Sequence, residues 1–201
     1  MGFPDFKLEL FGPVEAEQIT GVLRATTRKY REQGLLPSSK GRQGEFSVFD
    51  LAMVMALAGL KTHDLLGKKA IASWLASAVA RRALEHENAY ATHFDLAGAD
   101  PLALAGEVLR QHGRGPANVM RMSRLLVIFA DLTGNFFDTI DADMLKDQTH
   151  EPGSAAGPLV VFDTLAMGAR ILEVARRPLV RVSAPIPFEA FSCHPTRVMA
   201  D

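Results

Sequence analysis

The segment ITGVLRATTRKYREQGLLP, residues 19–37, predicts the end of one short helix and the whole of a second one. The first helix should lie between Gly12 and Gly21, because a proline and acidic residues occupy its first turn. The second should run over Arg24–Gln33 and end at Gly34, since glycine adopts the left-handed conformation at low cost. Two short helices joined by a tight turn form a helix-turn-helix.

The loop that follows, PSSKGRQGEF at 37–46, is rich in serine and glycine and carries Lys40 and Arg42. Such a composition is typical of a loop or a small hairpin. Ser47 and Asp50, three residues apart, then predict a capping box at the start of an apolar helix. The loop is therefore held between two helix ends, which makes it the wing of a winged helix-turn-helix.

The rest of the chain predicts further helices and then a change to strands. Apolar residues at helical spacing favour a long helix over 65–88, and the Asp-Pro pair at 100–101 begins another that ends at Gly113. Beyond it, RLLVIFA, DLTG and NFFDTID predict a strand, a turn and a strand. After a flexible linker, residues 158–183 predict strand, helix and strand, with Asp163 as the helix cap.

The fold class is therefore mainly α with a small α+β C-terminal part. We expect three domains. Residues 1–64 form the winged helix-turn-helix, 65–115 a helical connector that could serve in dimerisation, and 116–201 a small α+β domain of unknown role.

Composition limits the function classes. The chain has 201 residues, 48% of them apolar, and 22 basic residues balance 23 acidic ones, so any attraction for nucleic acid must be local. The single cysteine, Cys193, excludes a disulfide within the chain and favours a reducing, cytoplasmic setting. The N-terminus does not resemble a secretory signal. The longest apolar stretch, 51–60, is about half of a membrane span, so we expect no membrane segment.

Basic residues concentrate between positions 24 and 42, where only Glu32 opposes them. On a helix, Arg24, Arg28 and Arg31 share one face, since they are four and three residues apart. Such a face can dock in the major groove of DNA, while wing residues reach the phosphates. A solvated charged surface is the usual explanation for a charge run alone. Its coincidence with a helix-turn-helix and a basic wing favours DNA binding.

Residues 19–51 resemble the winged helix-turn-helix of MerR-type transcriptional regulators. The matching positions are Thr20, Gly21, Val22, Thr26, Arg28, Tyr30, Gly34, Leu35, Leu36, Pro37, Phe46, Ser47, Asp50 and Leu51. In that family the second helix enters the major groove, and its Arg and Tyr contact DNA together with basic wing residues. The resemblance implies these roles for Arg28, Tyr30 and Arg42. The chain departs from the family at Leu23, Thr27, Arg31 and Gly44.

We therefore expect a sequence-specific transcriptional regulator that binds double-stranded DNA as a homodimer on an inverted repeat. The α+β region would respond to an unidentified small-molecule or protein effector. The residues expected at the DNA are Arg24, Thr26, Thr27, Arg28, Lys29, Tyr30, Arg31, Lys40 and Arg42. The alternative is a phage-type DNA-binding adaptor or excision factor, or an antitoxin-like protein-interaction module.

Enzymatic activity is not expected, because the common nucleotide-binding, metalloprotease and serine-hydrolase motifs are all missing from the sequence. Metal-sensing members of the MerR family rely on cysteines that this chain lacks, so no metal and no cofactor are expected. His86 and His93 are seven residues apart among charged neighbours, and a solvated helix end explains them better than a ligand set does.

Overall fold

The structure, a computed structural model, describes residues 5–36, 44–63, 65, 69–92, 100–113, 124–129, 134–137 and 158–183. The described part is mostly helical with a small amount of sheet, which confirms the coarse fold class. Its α-helices are α1 Pro13–Thr20, α2 Arg24–Glu32, α3 Val48–Thr62, α4 Lys69–Leu84, α5 Pro101–Gln111 and α6 Thr164–Ala175. Its strands are β1 Phe6–Leu8, β2 Tyr90–Ala91, β3 Leu125–Phe129, β4 Gly134–Phe137, β5 Pro158–Asp163 and β6 Val180–Val182.

The helix ends follow local sequence chemistry. The backbone N–H of Gly12 donates to the Glu15 carboxylate at 2.8 Å, and Gly21, with φ of 72°, ends α1. The N–H of Ser47 donates to the Asp50 carboxylate at 2.9 Å, while the Ser47 hydroxyl accepts from the Asp50 N–H at 3.3 Å. This reciprocal pair is the predicted capping box, and it fixes the start of α3.

The predicted helix over 65–88 is shorter than expected. The chain forms α4 only as far as Leu84, and then a 3₁₀ turn over Glu87–Ala89 leads into β2. The Tyr90 hydroxyl donates to the Leu84 carbonyl at 2.7 Å, so the end of α4 is satisfied by a side chain that folds back. Trp74, on α4, is 51% exposed.

Two three-stranded sheets complete the described part. β3 pairs antiparallel with β4 and with β5, so the two strands predicted within 124–141 form, while most of the predicted turn between them lies outside the described residues. β6 pairs antiparallel with β1 and parallel with β2. The predicted strand, helix and strand at 158–183 therefore form, but their two strands belong to different sheets. β6 instead connects the C-terminal region to the N-terminal strand.

The core centres on α3, α4 and α6. Buried apolar side chains from the described parts of all three predicted domains belong to one cluster, among them Leu57, Leu75 and Ile171. α6 approaches α4 closely at Gly168, where a Cβ atom would lie 2.6 Å from the Cβ of Arg82 and 2.8 Å from the backbone N of Ala83. The boundaries 1–64, 65–115 and 116–201 stay a prediction.

No helix in the described ranges is long and apolar enough to cross a lipid bilayer. The longest of them, α4, has 16 residues.

Candidate nucleic-acid interface

α2 displays its arginines on one side, as the spacing predicted. Arg24, Arg28 and Arg31 line a single surface depression of about 250 Å³. The side chains of Arg24 and Arg28 are 63% and 83% exposed. Thr27 forms part of the same depression, between the arginines, and the first turns of α1 and the Phe46 ring complete it. The depression thus presents guanidinium groups above a largely apolar floor.

Two of these arginines form ion pairs at the surface. The Arg24 Nε lies 2.9 Å from the Glu17 carboxylate on α1, and the Arg28 Nε lies 2.9 Å from the Glu32 carboxylate. Exposed pairs of this kind contribute about 0–1 kcal/mol, so a phosphate can displace either carboxylate at small cost. The sequence indicated only Glu32 as an acidic partner of these arginines. Glu17 was not predicted as a partner because it lies on the preceding helix.

Arg31 has a different role from the other two. Its guanidinium lies 4.2 Å above the centre of the Phe46 ring, and its Nη2 donates to the Glu45 carbonyl at 3.3 Å. A cation held over an aromatic face is stabilised by the ring quadrupole. Arg31 therefore fastens α2 to Glu45 and Phe46, just before α3, and its guanidinium is less accessible than those of Arg24 and Arg28.

Tyr30 is placed in the interior, against its prediction as a DNA contact. Its side chain is only 2% exposed, and burial raises the pKa of its hydroxyl. The hydroxyl has no hydrogen-bond partner among the described residues. Thr27, also predicted at the DNA, is 7% exposed and donates to the Leu23 carbonyl at 3.3 Å. A helix of nine residues needs an anchoring face, and these two side chains supply it.

The remaining predicted contacts divide into two groups. Thr26 is half-buried and Lys29 is exposed on α2, so Lys29 remains available beside Arg28. Lys40 and Arg42, the predicted wing residues, lie outside the described residues.

Sequence reasoning missed two arginines from the C-terminal region that hold α1 in place. The Arg170 Nε donates to the Ile19 carbonyl at 3.1 Å, in the last turn of α1. The Arg177 guanidinium lies 4.1 Å above the Phe11 ring and donates to the Leu10 carbonyl at 2.8 Å. Each contact joins residues more than 150 positions apart, and no local pattern could have indicated it.

The two stacked arginines are connected through the backbone. Phe11 and Phe46 form an antiparallel bridge in which each N–H donates to the other carbonyl at 2.9 Å. Arg177 covers the ring of Phe11, and Arg31 covers the ring of Phe46. A continuous set of contacts therefore runs from the end of α6 to α2.

Comparisons of the chain with protein-family models, with curated proteins and with solved structures find no match. Within the described ranges, no group of three or more His, Cys, Asp or Glu side chains could hold a metal ion. His93 lies outside those ranges. The chemistry of the α2 surface is that of planar cationic donors, which suit phosphate and guanine.

Proposed function

We propose that the protein is a sequence-specific transcriptional regulator whose N-terminal part is a winged helix-turn-helix of the MerR type, with α2 as the recognition helix. The observation that carries the proposal is the shared exposure of Arg24 and Arg28 above one depression, on a helix anchored by Tyr30. Exposed guanidinium groups on one side of a short, anchored helix can bind phosphates and guanine edges in a DNA major groove.

The dimensions of α2 agree with this role. Nine residues make a helix about 13 Å long at a rise of about 1.5 Å per residue, and its diameter of about 10–12 Å fits the major groove, which is about 12 Å wide. Arg24 and Arg28 would exchange Glu17 and Glu32 for phosphate oxygens or for the O6 and N7 atoms of guanine. Lys29 would add a phosphate contact beside them. Arg31 would stay on Phe46 and set the angle of α2.

A homodimer on an inverted repeat completes the proposal. One helix of this length contacts only a few base pairs, and two-fold symmetry doubles the number of contacts. α4 is the helix predicted to serve in dimerisation, and Trp74 on it is half exposed and thus accessible to a second copy. Half-sites would then lie about one helical turn, roughly 34 Å, apart.

Substitution of Arg28 by alanine should weaken binding to the preferred DNA site by tenfold to about a hundredfold, or about 1–3 kcal/mol. The side chain is exposed and its only described ion-pair partner is Glu32, so the fold should tolerate the change. Gel-shift titration of a selected site measures the effect.

The matched control is Arg110→Ala. Arg110 is also an exposed arginine paired with a glutamate on its own helix, Glu107, but it lies on α5, away from the depression. This variant should bind DNA as the unmodified protein does. Equal affinities for the Arg28→Ala variant, the Arg110→Ala variant and the unmodified protein would contradict the assignment of α2.

A further inference from the structure

A second concave surface lies far from α2 in the sequence. It is a cleft of about 630 Å³ between the 3₁₀ turn that follows α4 and the C-terminal end of α6. Tyr90 and Leu172 contribute apolar surface, and Glu87, Glu173, Arg176 and Arg177 bring charges of both signs. A volume of this size suits a small molecule rather than a macromolecule.

Three of these charges have no ion-pair partner among the described residues. Glu87, Glu173 and Arg176 are exposed, and none of them forms an ion pair with another described residue. A cleft that offers a guanidinium and carboxylates with no ion-pair partner in the described ranges is complementary to a ligand that carries both an anion and a cation. An arginine binds a carboxylate through two parallel N–H donors, and a glutamate accepts from an ammonium group.

The backbone conformation of Arg176 indicates a functional role for its side chain. Arg176 ends α6 in the left-handed conformation, with φ of 51°, and it is the one non-glycine residue with positive φ in the described ranges. Glycine would occupy this position without the steric cost that a Cβ atom brings. Non-glycine residues held in this conformation cluster at active sites, ligand sites and switch regions.

Arg177, the next residue, connects the cleft to α1. It lines the cleft, and its guanidinium contacts the Glu15 carboxylate at 3.3 Å and the Glu9 carboxylate at 3.4 Å. Glu15 in turn accepts from the Gly12 N–H at the start of α1. Through the stack on Phe11 and the bridge to Phe46, the same guanidinium is connected to Arg31 on α2.

We propose that this cleft binds a small zwitterion of amino-acid or short-peptide size and that the bound ligand changes the affinity of α2 for DNA. The ligand carboxylate pairs with Arg176 and approaches Arg177, and its ammonium group pairs with Glu173. A carboxylate near Arg177 competes with Glu9 and Glu15 for the guanidinium. The second half of the proposal rests on the proposed DNA-binding function, whereas the first half stands without it.

Coupling of this kind is reciprocal. If the zwitterion changes the affinity for DNA by a given factor, DNA changes the affinity for the zwitterion by the same factor. Factors of roughly 5 to 150 are typical of coupled sites.

Calorimetric titration of the full-length protein tests the cleft. The probes are the free amino acids and the dipeptide and tripeptide of alanine, with succinate and putrescine as ligands of one charge sign. At least one zwitterion should bind, and succinate and putrescine should bind at least tenfold more weakly. Arg176→Gly and Glu173→Gln should each reduce the affinity for that zwitterion at least tenfold.

Arg176→Gly removes the guanidinium and at the same time places glycine at a position with positive φ, which glycine adopts without steric cost. The variant protein should therefore keep its fold. Arg110→Ala, outside the cleft, should leave zwitterion binding unchanged. The proposal is overturned if no zwitterion of the panel binds, or if binding survives both cleft substitutions.

A gel shift with and without the bound zwitterion tests the coupling. A change in DNA affinity that Arg176→Gly abolishes supports it, and an unchanged affinity overturns it. The two proposals fail separately. A protein that binds no DNA but binds the zwitterion loses the regulator assignment and keeps the cleft, and a protein that binds DNA but no zwitterion loses the cleft alone.

Discussion

Replacement of Gly168 by alanine should lower the free energy of unfolding by about 2–3 kcal/mol. The added Cβ atom would lie 2.6 Å from the Cβ of Arg82, 2.8 Å from the backbone N of Ala83 and 3.0 Å from the backbone C of Arg82. These atoms belong to the last turn of α4, so the clash can be relieved only if that end of α4 and α6 move apart. That movement would open the core that α4 and α6 share.

The expected loss is notable because alanine is otherwise the better helix former, by about 1 kcal/mol. Gly59→Ala is the matched control. A Cβ atom there would meet the edge of the Phe162 ring at 2.7 Å, with no backbone atom among its closest contacts, and a ring can rotate or shift. Urea unfolding followed by circular dichroism should rank Gly168→Ala as the less stable variant. A Gly168→Ala variant at least as stable as the unmodified protein would contradict the packing of α6 on α4.

Arg177→Ala should destabilise the protein by about 2–3 kcal/mol. The substitution removes the stack on Phe11, the hydrogen bond to the Leu10 carbonyl and the contacts with Glu9 and Glu15. A cation over an aromatic ring contributes about 0.5–2 kcal/mol and a hydrogen bond from a charged group about 1.5–3 kcal/mol, and the two are not additive here. Arg177→Lys should recover only part of the loss. A lysine ammonium group is not planar, so it cannot lie flat over the Phe11 ring and at the same time donate to the Leu10 carbonyl as the guanidinium does.

Arg181→Ala is the control that distinguishes the loss of the Arg177 contacts from the loss of a positive charge alone. Arg181 pairs with the same Glu9 carboxylate at 2.9 Å, but its side chain is 61% exposed, and exposed ion pairs contribute about 0–1 kcal/mol. The two alanine variants should therefore differ clearly in thermal unfolding. Equal stabilities would show that the Arg177 contacts add nothing beyond an ordinary surface charge.

Structural features could be predicted from the sequence where the interacting residues are close together in the chain. Ser47 with Asp50, the Asp163 cap and the left-handed Gly21 all involve neighbours within a few positions, so composition and spacing suffice to predict them. The shared side of Arg24, Arg28 and Arg31 follows from helical periodicity alone. For the same reason, β3 and its antiparallel partner β4 could be predicted from apolar runs on either side of a turn.

Features that depend on contacts between distant segments of the chain could not be predicted from the sequence. β1 and β2 have three and two residues, too few to show alternation, and only their pairing with β6 makes them strands. The stacking of the Arg177 guanidinium on the Phe11 ring depends on the same pairing of distant strands. Tyr30 was assigned to DNA by resemblance, yet packing decides its position, because α2 has few other large side chains to bury.

Selection of binding sites from random double-stranded DNA with the purified protein, followed by titration of the selected site, tests the DNA-binding account most directly. A regulator should bind the selected site on the order of 10³-fold more tightly than a scrambled duplex. With about four phosphate contacts, its affinity should also fall by about a hundredfold between roughly 50 and 200 mM salt. The selected site should be an inverted repeat. A protein that enriches no sequence and binds both duplexes equally would contradict the account and favour a DNA-binding adaptor or a protein-interaction module.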